Sequence, residues 1–454
     1  MKSFTFLAWI LMPLAFCGAA HATNGYFTDG AGTKSEGLAG AGSADPHEVM
    51  VIATNPAGLA FVGRRVEAGV GLFSPDRSYS TSPSLANGQG GAFTIGPNDI
   101  NSGNKLFPMP YVAADWRLDA QDFLGAAFYA RGGMNTVWQG GTATFQPGPG
   151  APVTTFPGTY GAGTAGVDLM QAFINVSLAH ASIDRKVSVG ASAIVAAQRF
   201  VARGLANFAP YTQTFAASGG TVMPAALSNA GADMSYGAGA SLGVEWRPTP
   251  QWGAALAYTS KIYMSKFKKY SDLFAGDGGF DIPANATVGL TFKPTPPVAV
   301  SFDVQRIWYS KVSSIGNPIG NLFACPTAGA GGTDLTSCLG GQHGPGFGWR
   351  DMTVYKLGLS WDLDTDWTGR VGFSHGTQPI PASQTTFNIL APGVIENHVA
   401  VGFTHRHGDN GELSFAFTYA PEKTISGANT FDPTQTITLK MHQYIMEFGY
   451  AWMP

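Results

Sequence analysis

The residues in this sequence that most directly indicate chemistry are two cysteines, Cys325 and Cys338, which lie in a stretch rich in Gly, Pro and Thr. In an oxidising compartment, two such thiols are expected to form a disulfide. A zinc site is not expected, because no histidines accompany the cysteines at the spacing of a zinc finger. We therefore predict a covalent bond within one loop and no bound metal.

The patterns typical of enzymes do not stand out in the sequence. We expect no serine nucleophile elbow, no His-Glu-x-x-His pair and no phosphate-binding loop. A histidine group near the C-terminus is a candidate metal site, but strand alternation puts His398 on one face and His405 and His407 on the other. The sequence therefore predicts neither an enzyme nor a cofactor.

The composition is unusual for a soluble domain. Charged residues make up 12% of the 454 residues, against roughly 25% in soluble globular domains. The net charge of −3 gives no general attraction to nucleic acid. Beyond the N-terminus, no apolar run approaches the roughly 18 residues of a spanning helix. Any membrane crossing must therefore use strands.

The first 22 residues have the pattern of a secretory signal peptide. Lys2 precedes an apolar stretch over residues 4–18, and Ala20-His21-Ala22 matches a small-x-small cleavage site. We expect the mature chain to begin at Thr23. Such a leader indicates export from the cytoplasm.

The rest of the chain alternates apolar with small or polar residues in segments long enough for a tilted strand to cross a bilayer. We predict fourteen strands, at 65–73, 106–116, 123–133, 168–180, 187–199, 234–247, 252–263, 281–292, 297–309, 351–363, 367–375, 396–407, 411–420 and 440–452. The predicted connections alternate between long and short, and the last long loop is 421–439. This alternation is typical of an outer-membrane barrel, with long loops outside and tight turns in the periplasm.

The stretch before these strands has no strand pattern. Residues 23–61, which we call the plug, are rich in Gly and Ala and end with Asn55-Pro56-Ala57. Such a segment buries too little apolar surface to fold alone. We expect it to be ordered inside the barrel. The predicted organisation is a signal peptide over 1–22, the plug over 23–61 and the barrel over 62–454, an all-β fold with a transmembrane antiparallel β-barrel.

These features resemble the FadL-type outer-membrane transporters of long-chain fatty acids and other hydrophobic compounds. The resemblance begins with the glycine spacing from Gly25 to Gly42 and the Asn55-Pro56-Ala57 turn. It continues through three later motifs, namely Pro108-Met109-Pro110-Tyr111, Phe267-Lys268 with Tyr270-Ser271-Asp272-Leu273, and Gln378-Pro379-Ile380-Pro381-Ala382. The resemblance implies fourteen strands, a plug inside the barrel and an outer-membrane location.

Charged residues on the inward faces suggest where a ligand would bind. Alternation places six charges inside, namely Lys261, Asp303, Lys356, Arg370, Glu412 and Glu447. We expect Lys261 and Lys356, near the extracellular ends of their strands, to meet a ligand carboxylate. Lys356 also aligns with a basic position of the resembling family.

The third predicted strand carries a candidate exit. Adjacent glycines, Gly132 and Gly133, indicate a bulge or bend in a strand. The resemblance implies that a kink there opens the wall sideways, with Tyr129 to Gly133 in the matching place. We expect the Asn55 side chain to satisfy backbone groups freed by that kink, so Asn55, Pro56 and Ala57 are gating candidates.

The predicted function is passive uptake of hydrophobic small molecules, long-chain fatty acids first, with exit through the side of the barrel. The alternative within transport is a channel for monoaromatic hydrocarbons, and a barrel acting as an adhesin or structural protein is the alternative outside it. Expected partners are the hydrophobic ligand and outer-membrane lipid or lipopolysaccharide. The basic cluster Lys266, Lys268 and Lys269 either contacts phosphates of the outer-leaflet lipid or belongs to a solvated loop. We expect a monomer and no nucleic acid.

Overall fold

The computed structural model describes residues 24–148 and 150–454, so the predicted signal peptide and Thr23 lie outside the described residues. Fourteen long antiparallel strands form a closed barrel. Their bounds are β1 Val66–Thr81, β2 Phe107–Arg117, β3 Asp122–Asn135, β4 Gly166–Ala181, β5 Val187–Arg203, β6 Asp233–Thr249, β7 Trp252–Thr259, β8 Asn285–Thr295, β9 Val298–Ile307, β10 Met352–Asp362, β11 Trp367–Gly376, β12 Asn397–His407, β13 Gly411–Asn429 and β14 Asp432–Trp452.

Each strand pairs with its neighbours in sequence, and β1 pairs with β14 to close the ring. That last ladder runs from Val66 opposite Trp452 to Thr81 opposite Ile437. Closure pairs the first strand with the last, as a wall in lipid requires, because unpaired backbone groups are costly there. The predicted strand number is confirmed.

The two faces of the strands differ as the alternation predicts. In β14, Tyr444, Phe448 and Trp452 are 39%, 46% and 49% exposed on the outer face. Between them, Ile445 and Glu447 point inward and are 1% and 7% exposed. Large apolar side chains facing outward with buried polar ones inside are the arrangement expected of a wall in lipid.

The prediction of a long loop over residues 421–439 is wrong. Strands β13 and β14 continue beyond the membrane as one hairpin, in which only Thr430 and Phe431 lie between the strands. Above the membrane the outer face meets water, so it no longer needs to be apolar. The pattern there inverts, with Ile437 and Leu439 buried on the inner side, and this inversion hid the strand. The seventh strand also ends earlier than predicted, at Thr259.

The remaining elements are short. Further strands are Thr94–Ile95, Asp99–Asn101, Thr142–Phe145, Thr154–Pro157 and Tyr263–Met264. The α-helical turns are Thr33–Glu36, Leu59–Val62, Gln213–Ala217, Ala275–Gly278, Ser313–Gly316 and Thr385–Asn388. The 3-10 turns are Val49–Ala53, Pro56–Gly58, Gln89–Gly91, Ala206–Tyr211, Lys268–Tyr270, Tyr309–Lys311, Ile319–Ala324, Pro326–Ala328, Leu335–Ser337 and Ala382–Gln384. Among the described residues, no helix is long and apolar enough to cross a membrane.

One stretch matches a pattern that we did not expect in this sequence. Gly239-Ala240-Ser241-Leu242-Gly243 fits Gly-x-Ser-x-Gly. A nucleophile elbow places its serine at a sharp strand-to-helix turn. Ser241 instead lies inside β6, paired with Ser192 of β5 and Thr259 of β7. The match is therefore part of the barrel wall.

Candidate functional site

The plug is held to one side of the barrel by buried charged side chains. The Asp303 carboxylate of β9 accepts hydrogen bonds from the backbone N–H groups of Gly42, at 3.1 Å, and Ser43, at 2.9 Å. Lys34 of the plug forms an ion pair with Glu412 of β13, which Arg65 also approaches, at 3.1 Å. These contacts use groups that are costly to bury unless they are paired.

A second buried group lies at Asp29 of the plug. Its carboxylate accepts a hydrogen bond from Ser374 of β11, at 3.0 Å, and lies 3.7 Å from the ring of His398. Its backbone carbonyl accepts a hydrogen bond from the Lys356 ammonium, at 2.7 Å. His398 is therefore part of this contact between plug and wall. In the same part of the plug, burial and, after it, the neighbouring Asp29 carboxylate raise the pKa of Glu36 to about 7.

The Asn55-Pro56-Ala57 turn docks against β5 and β6. Asn55 caps the turn, since its side-chain oxygen accepts from the Ala57 N–H at 3.2 Å and its amide donates to the Ser43 carbonyl at 3.1 Å. A Cβ atom at Gly243 would overlap the Asn55 side chain, and one at Gly190 would overlap the Ala57 backbone. Two glycines in the wall thus make room for the turn.

The two candidate lysines have backbone partners. Lys356, 4% exposed, lies opposite Asp303 within the wall and contacts the plug as described. Lys261 follows the end of β7, donates to the Lys311 carbonyl at 2.7 Å and lies 3.8 Å from Asp281. The structure does not bring the two lysines into one site, and their role with a carboxylate stays a prediction.

The wall is incomplete between β2 and β3. The ladder between these strands runs only from Tyr111 opposite Tyr129 to Arg117 opposite Phe123. Above it, residues 107–110 pair only with β1, and residues 133–135 pair only with β4, in the described part of the chain. We call this unpaired stretch, between residues 107–110 and 130–135, the aperture.

The sequence explains both borders of the aperture. Pro108 and Pro110 lie on the β2 side, and proline is typical of strand edges because it donates no ladder hydrogen bond. On the β3 side, the register with β4 shifts between Ala130 and Gly133. Gly132 and Gly133 have φ values of 85° and 149°, which favour glycine. The bulge turns the upper part of β3 away from β2.

The plug reaches the aperture through Tyr26. The Gly133 N–H, freed from the ladder by the bulge, donates to the Tyr26 carbonyl at 3.2 Å. The expectation that Asn55 fills this role is wrong, because its side chain is bonded within the plug to Ser43 and Ala57. Tyr129 lies at the lower border, where its ring stacks on Phe173 with centroids 5.3 Å apart.

The aperture also has an upper limit. The Asn104 amide donates to the Asn135 side chain at 2.6 Å, and Asn135 donates to Asp168 at 2.9 Å. Just above, the Gly103 N–H donates to the Val137 carbonyl at 2.9 Å. The opening is therefore a bounded window between the Tyr111–Tyr129 pair and these contacts.

An apolar cavity lies among the extracellular loops above the plug. Its lining is Val167, Phe200, Leu205, Phe208, Leu227, Leu273, Phe274, Ser314, Leu339, Pro345, Gly346, Phe347, Phe387 and Leu390. The one polar side chain in this lining, Ser314, donates to the Gly279 carbonyl at 2.5 Å. The cavity thus presents apolar surface and no charged group.

The disulfide-bearing loop forms part of this cavity. The sulfurs of Cys325 and Cys338 are bonded to each other. Leu339 follows Cys338 directly, and Phe347 lies further along the same loop. We infer that the bond limits the motion of a loop that shapes the cavity.

Aromatic rings connect the apolar cavity with the aperture. Phe274 in the lining lies 4.8 Å from Phe280, whose ring lies 6.4 Å from that of Tyr26. A second route passes from Phe347 to Trp349, 6.4 Å apart, and on to Tyr26 at 6.0 Å. Both routes end at the residue whose carbonyl meets Gly133.

Sequence reasoning missed Tyr26 and the loop residues of the cavity. Tyr26 lies among the plug glycines, where its ring carries no periodic signal. Phe208 of the cavity lining lies in the long connection between β5 and β6. The other loop residues that line the cavity are brought together by contacts between segments that are distant in the sequence.

The sequence model for the outer membrane protein transport proteins (OMPP1/FadL/TodX) matches residues 16–449. No curated protein matches the chain by sequence. The P. putida toluene transporter TodX has a similar fold, with a TM-score of 0.62 at 15% identity, covering 94% of this chain and 99% of that chain. The Ralstonia pickettii toluene transporter TbuX is also similar, with a TM-score of 0.58 at 18% identity, covering 94% of this chain and 98% of that chain.

A Pseudomonas aeruginosa FadL homologue is similar to the same extent, with a TM-score of 0.59 at 14% identity, covering 94% of this chain and 99% of that chain. At such identities the similarity shows the fold alone. The ligand must therefore be argued from the cavity and the aperture.

Proposed function

Because the chain belongs to the OMPP1/FadL/TodX family of outer membrane transport proteins, we propose that it takes up small, uncharged hydrophobic molecules by passive diffusion. The ligand enters the apolar cavity from outside, passes the rings around Tyr26 and leaves sideways through the aperture. The protein acts as a channel and performs no chemical step.

The observation that carries this proposal is the lining of the apolar cavity. Its side chains are apolar apart from Ser314, whose hydroxyl is already hydrogen-bonded. Burial of apolar ligand surface contributes about 25 cal/mol per Å². Such a site favours a ligand by its apolar area and leaves a charged group without a partner.

A compact hydrocarbon fits this lining better than the long-chain fatty acid that the sequence suggested. The lysines expected to hold a carboxylate donate instead to the carbonyls of Asp29 and Lys311. The TodX and TbuX structures are those of toluene transporters. Monoaromatic hydrocarbons are therefore our first ligand class, and long-chain fatty acids are the second.

Exit through the side of the barrel is supported by the position of the aperture. Seven residues of β2, from Tyr111 to Arg117, pair with β3 below it. The six steps that join them, at about 3.4 Å each and a tilt of about 45°, rise roughly 14 Å. This exceeds half of an apolar band about 25 Å tall, so the aperture faces the apolar interior of the membrane. A hydrophobic ligand leaving there avoids water.

The proposal is tested by placing a charge in the cavity. Leu339→Asp puts a carboxylate at a lining position that is 2% exposed, whereas Leu335→Asp puts one at a position in the same loop that is 38% exposed. Toluene uptake should fall about ten-fold or more for the first variant, because an unpaired buried charge is costly. The control should retain uptake.

Uptake is measured in cells with equal amounts of heat-modifiable barrel in the outer membrane. Equal toluene uptake by the Leu339→Asp variant and the wild type would contradict the proposal. Toluene entry that does not depend on the protein at all would favour an adhesin or structural role.

A further inference from the structure

Exposed aromatic rings mark the level of the membrane surface at the extracellular ends of β6 and β7. Tyr236 of β6 and Tyr258 of β7 are exposed. The short strand Tyr263–Met264 continues the wall above β7 by pairing with β6, and the Tyr263 ring is exposed as well. Aromatic rings of this kind are enriched where a barrel meets the lipid headgroups. Charged groups beside these rings therefore lie at the height of the headgroups of the outer leaflet.

Five lysines, which we call the lysine patch, lie at this end of the strands. They are Lys261, Lys266, Lys268, Lys269 and Lys311. The Lys261 ammonium lies 5.8 Å from the centre of the Tyr263 ring and donates to the Lys311 carbonyl at 2.7 Å. The Lys269 ammonium donates to the carbonyl of Ala232, directly before β6, at 2.9 Å. The patch therefore extends from the start of β6 to the segment that follows β9.

Three lysines of the patch pair with no carboxylate among the described residues. Lys268 and Lys311 are exposed and have neither an ion pair nor a side-chain hydrogen bond there, and the Lys269 ammonium has a backbone carbonyl as its partner. The carboxylates that contact the patch, through side chain or backbone, are Asp233, Asp277 and Asp281. Five lysines beside three carboxylates leave a positive surface in a chain whose net charge is −3.

The lysines at the extracellular ends of β13, β14 and β1 differ from the patch. Each of these three lysines lies within 4.0 Å of a carboxylate. The pairs are Lys105 with Asp76, Lys423 with Glu396 and Lys440 with Glu422, at 2.8, 2.7 and 3.8 Å. The unpaired lysines are thus concentrated on one side of the barrel, beside the exposed tyrosines.

We propose that the lysine patch binds the phosphate groups of lipopolysaccharide in the outer leaflet. Phosphate oxygens accept charge-assisted hydrogen bonds from ammonium groups, and basic residues at a membrane surface attract anionic lipids. Lysines spread over several strands suit a lipid that carries more than one phosphate, as lipopolysaccharide does and most phospholipids do not. The exposed tyrosines then contact the upper part of its acyl chains. This surface lies outside the barrel, so the inference goes beyond the proposed uptake function.

Binding of lipid A to the purified full chain in detergent tests this inference, with diphosphoryl and fully dephosphorylated lipid A as the two probes. The triple variant Lys268→Gln, Lys269→Gln and Lys311→Gln removes the charges that have no carboxylate partner. It should bind diphosphoryl lipid A about ten-fold or more weakly than the wild type, because three ammonium groups are lost. Dephosphorylated lipid A should bind the variant and the wild type within about two-fold of each other.

The matched control is the triple variant Lys105→Gln, Lys423→Gln and Lys440→Gln, which removes the same charge from the paired lysines. Its affinity for diphosphoryl lipid A should stay within about two-fold of the wild type, and all three proteins are compared as heat-modifiable barrels. Equal weakening in both triple variants, or unchanged binding in the patch variant, would overturn the inference.

Two results with the wild type would also overturn it. One is binding of dephosphorylated lipid A as tightly as the diphosphoryl form, and the other is no binding of either. Equally tight binding of phosphatidylglycerol would show that the patch accepts any anionic lipid, and would overturn lipopolysaccharide as its ligand.

Discussion

The two sides of the junction between plug and wall differ in chemistry. Toward β9–β13, buried charges on the wall hold the plug, with Asp303, Lys356 and Glu412 each bonded to plug atoms. Toward β3, groups of the wall donate hydrogen bonds mainly to backbone carbonyls of the plug. Gly133 donates to the Tyr26 carbonyl, and Arg131 donates to the Ala53 carbonyl at 3.4 Å.

This difference indicates that one side of the junction anchors the plug and the other side lets the ligand pass. Breaking a buried ion pair leaves an uncompensated charge, so the charged side resists movement. On the β3 side the neutral hydrogen bond from Gly133 contributes only about 1 kcal/mol, and the Arg131 guanidinium meets a plug carbonyl at 3.4 Å and no plug carboxylate. The apolar cavity and the aromatic rings lead to this side. We infer that the plug stays fixed to one side while ligand passes along the other.

The largest effect should follow from removing both sides of the junction together by deleting residues 24–61. The barrel should still fold, because its ladders close between β1 and β14 without the plug. Hydrophilic solutes should then cross and selective uptake should be lost. The measurement is sensitivity to a hydrophilic antibiotic together with heat-modifiable migration on gels. Loss of heat-modifiable migration would show instead that the plug is needed for folding.

A smaller effect is expected from weakening the charged side alone. Glu412→Leu leaves Lys34 and Arg65 without their carboxylate, which should destabilise the junction by about 3–5 kcal/mol. Proteolysis of the plug should become faster, while toluene uptake persists because this side is not on the route.

The matched control for that variant is Glu422→Leu. Glu422 also lies on β13 and lies 3.8 Å from a lysine, Lys440, but this pair is exposed. An exposed pair contributes at most about 1 kcal/mol. If the two variants are digested at the same rate, the charged side does not anchor the plug.

The upper limit of the aperture offers a more modest test. Asn104→Ala removes the hydrogen bond to Asn135 and should widen the window. At about 1 kcal/mol, the expected gain is up to about five-fold in uptake of hydrocarbons bulkier than toluene, with toluene itself little changed. Uptake is compared for a series of alkylbenzenes. A uniform decrease across the series would mean that the bond holds the route open.

The smallest effect is expected for Lys261→Ala. Its ammonium donates to the Lys311 carbonyl outside the apolar cavity, so uptake of a long-chain fatty acid should stay within about two-fold of the wild type. A selective loss of fatty acid, with toluene uptake preserved, would restore the carboxylate role that the sequence suggested for this lysine.

The sequence predicted the barrel wall well because lipid imposes a strict period of two. Where lipid ends, the constraint ends as well. The upper part of β1, from residue 74 onward, was therefore assigned to a loop, and Arg77 with it. Continuing the alternation from Phe73 would have placed Arg77 and Tyr79 inside, where both are buried.

The site was only partly predictable. Gly132 and Gly133 signalled the bulge, because few other residues adopt their backbone angles. The partner of that bulge was not predictable, since it is a backbone carbonyl, and any plug residue carries one. Asn55 was misjudged because an Asn before Pro is also a typical helix cap, which is its role here.

The central claim is that ligand leaves through the aperture, and replacing the glycines of the bulge tests it most directly. Valine is strained at the positive φ angles of Gly132 and Gly133. The double variant Gly132→Val and Gly133→Val should therefore straighten β3 and close the wall. The matched control, Gly219→Val with Gly220→Val, changes an adjacent glycine pair with φ values of 66° and 84° in an exposed loop.

The measurement is the initial rate of toluene uptake at equal levels of heat-modifiable barrel. We predict that the Gly132 and Gly133 double variant falls to about one tenth of the wild-type rate or less, while the loop control keeps its rate. A normally inserted double variant that takes up toluene at the wild-type rate would contradict lateral exit and make passage through the plug the route.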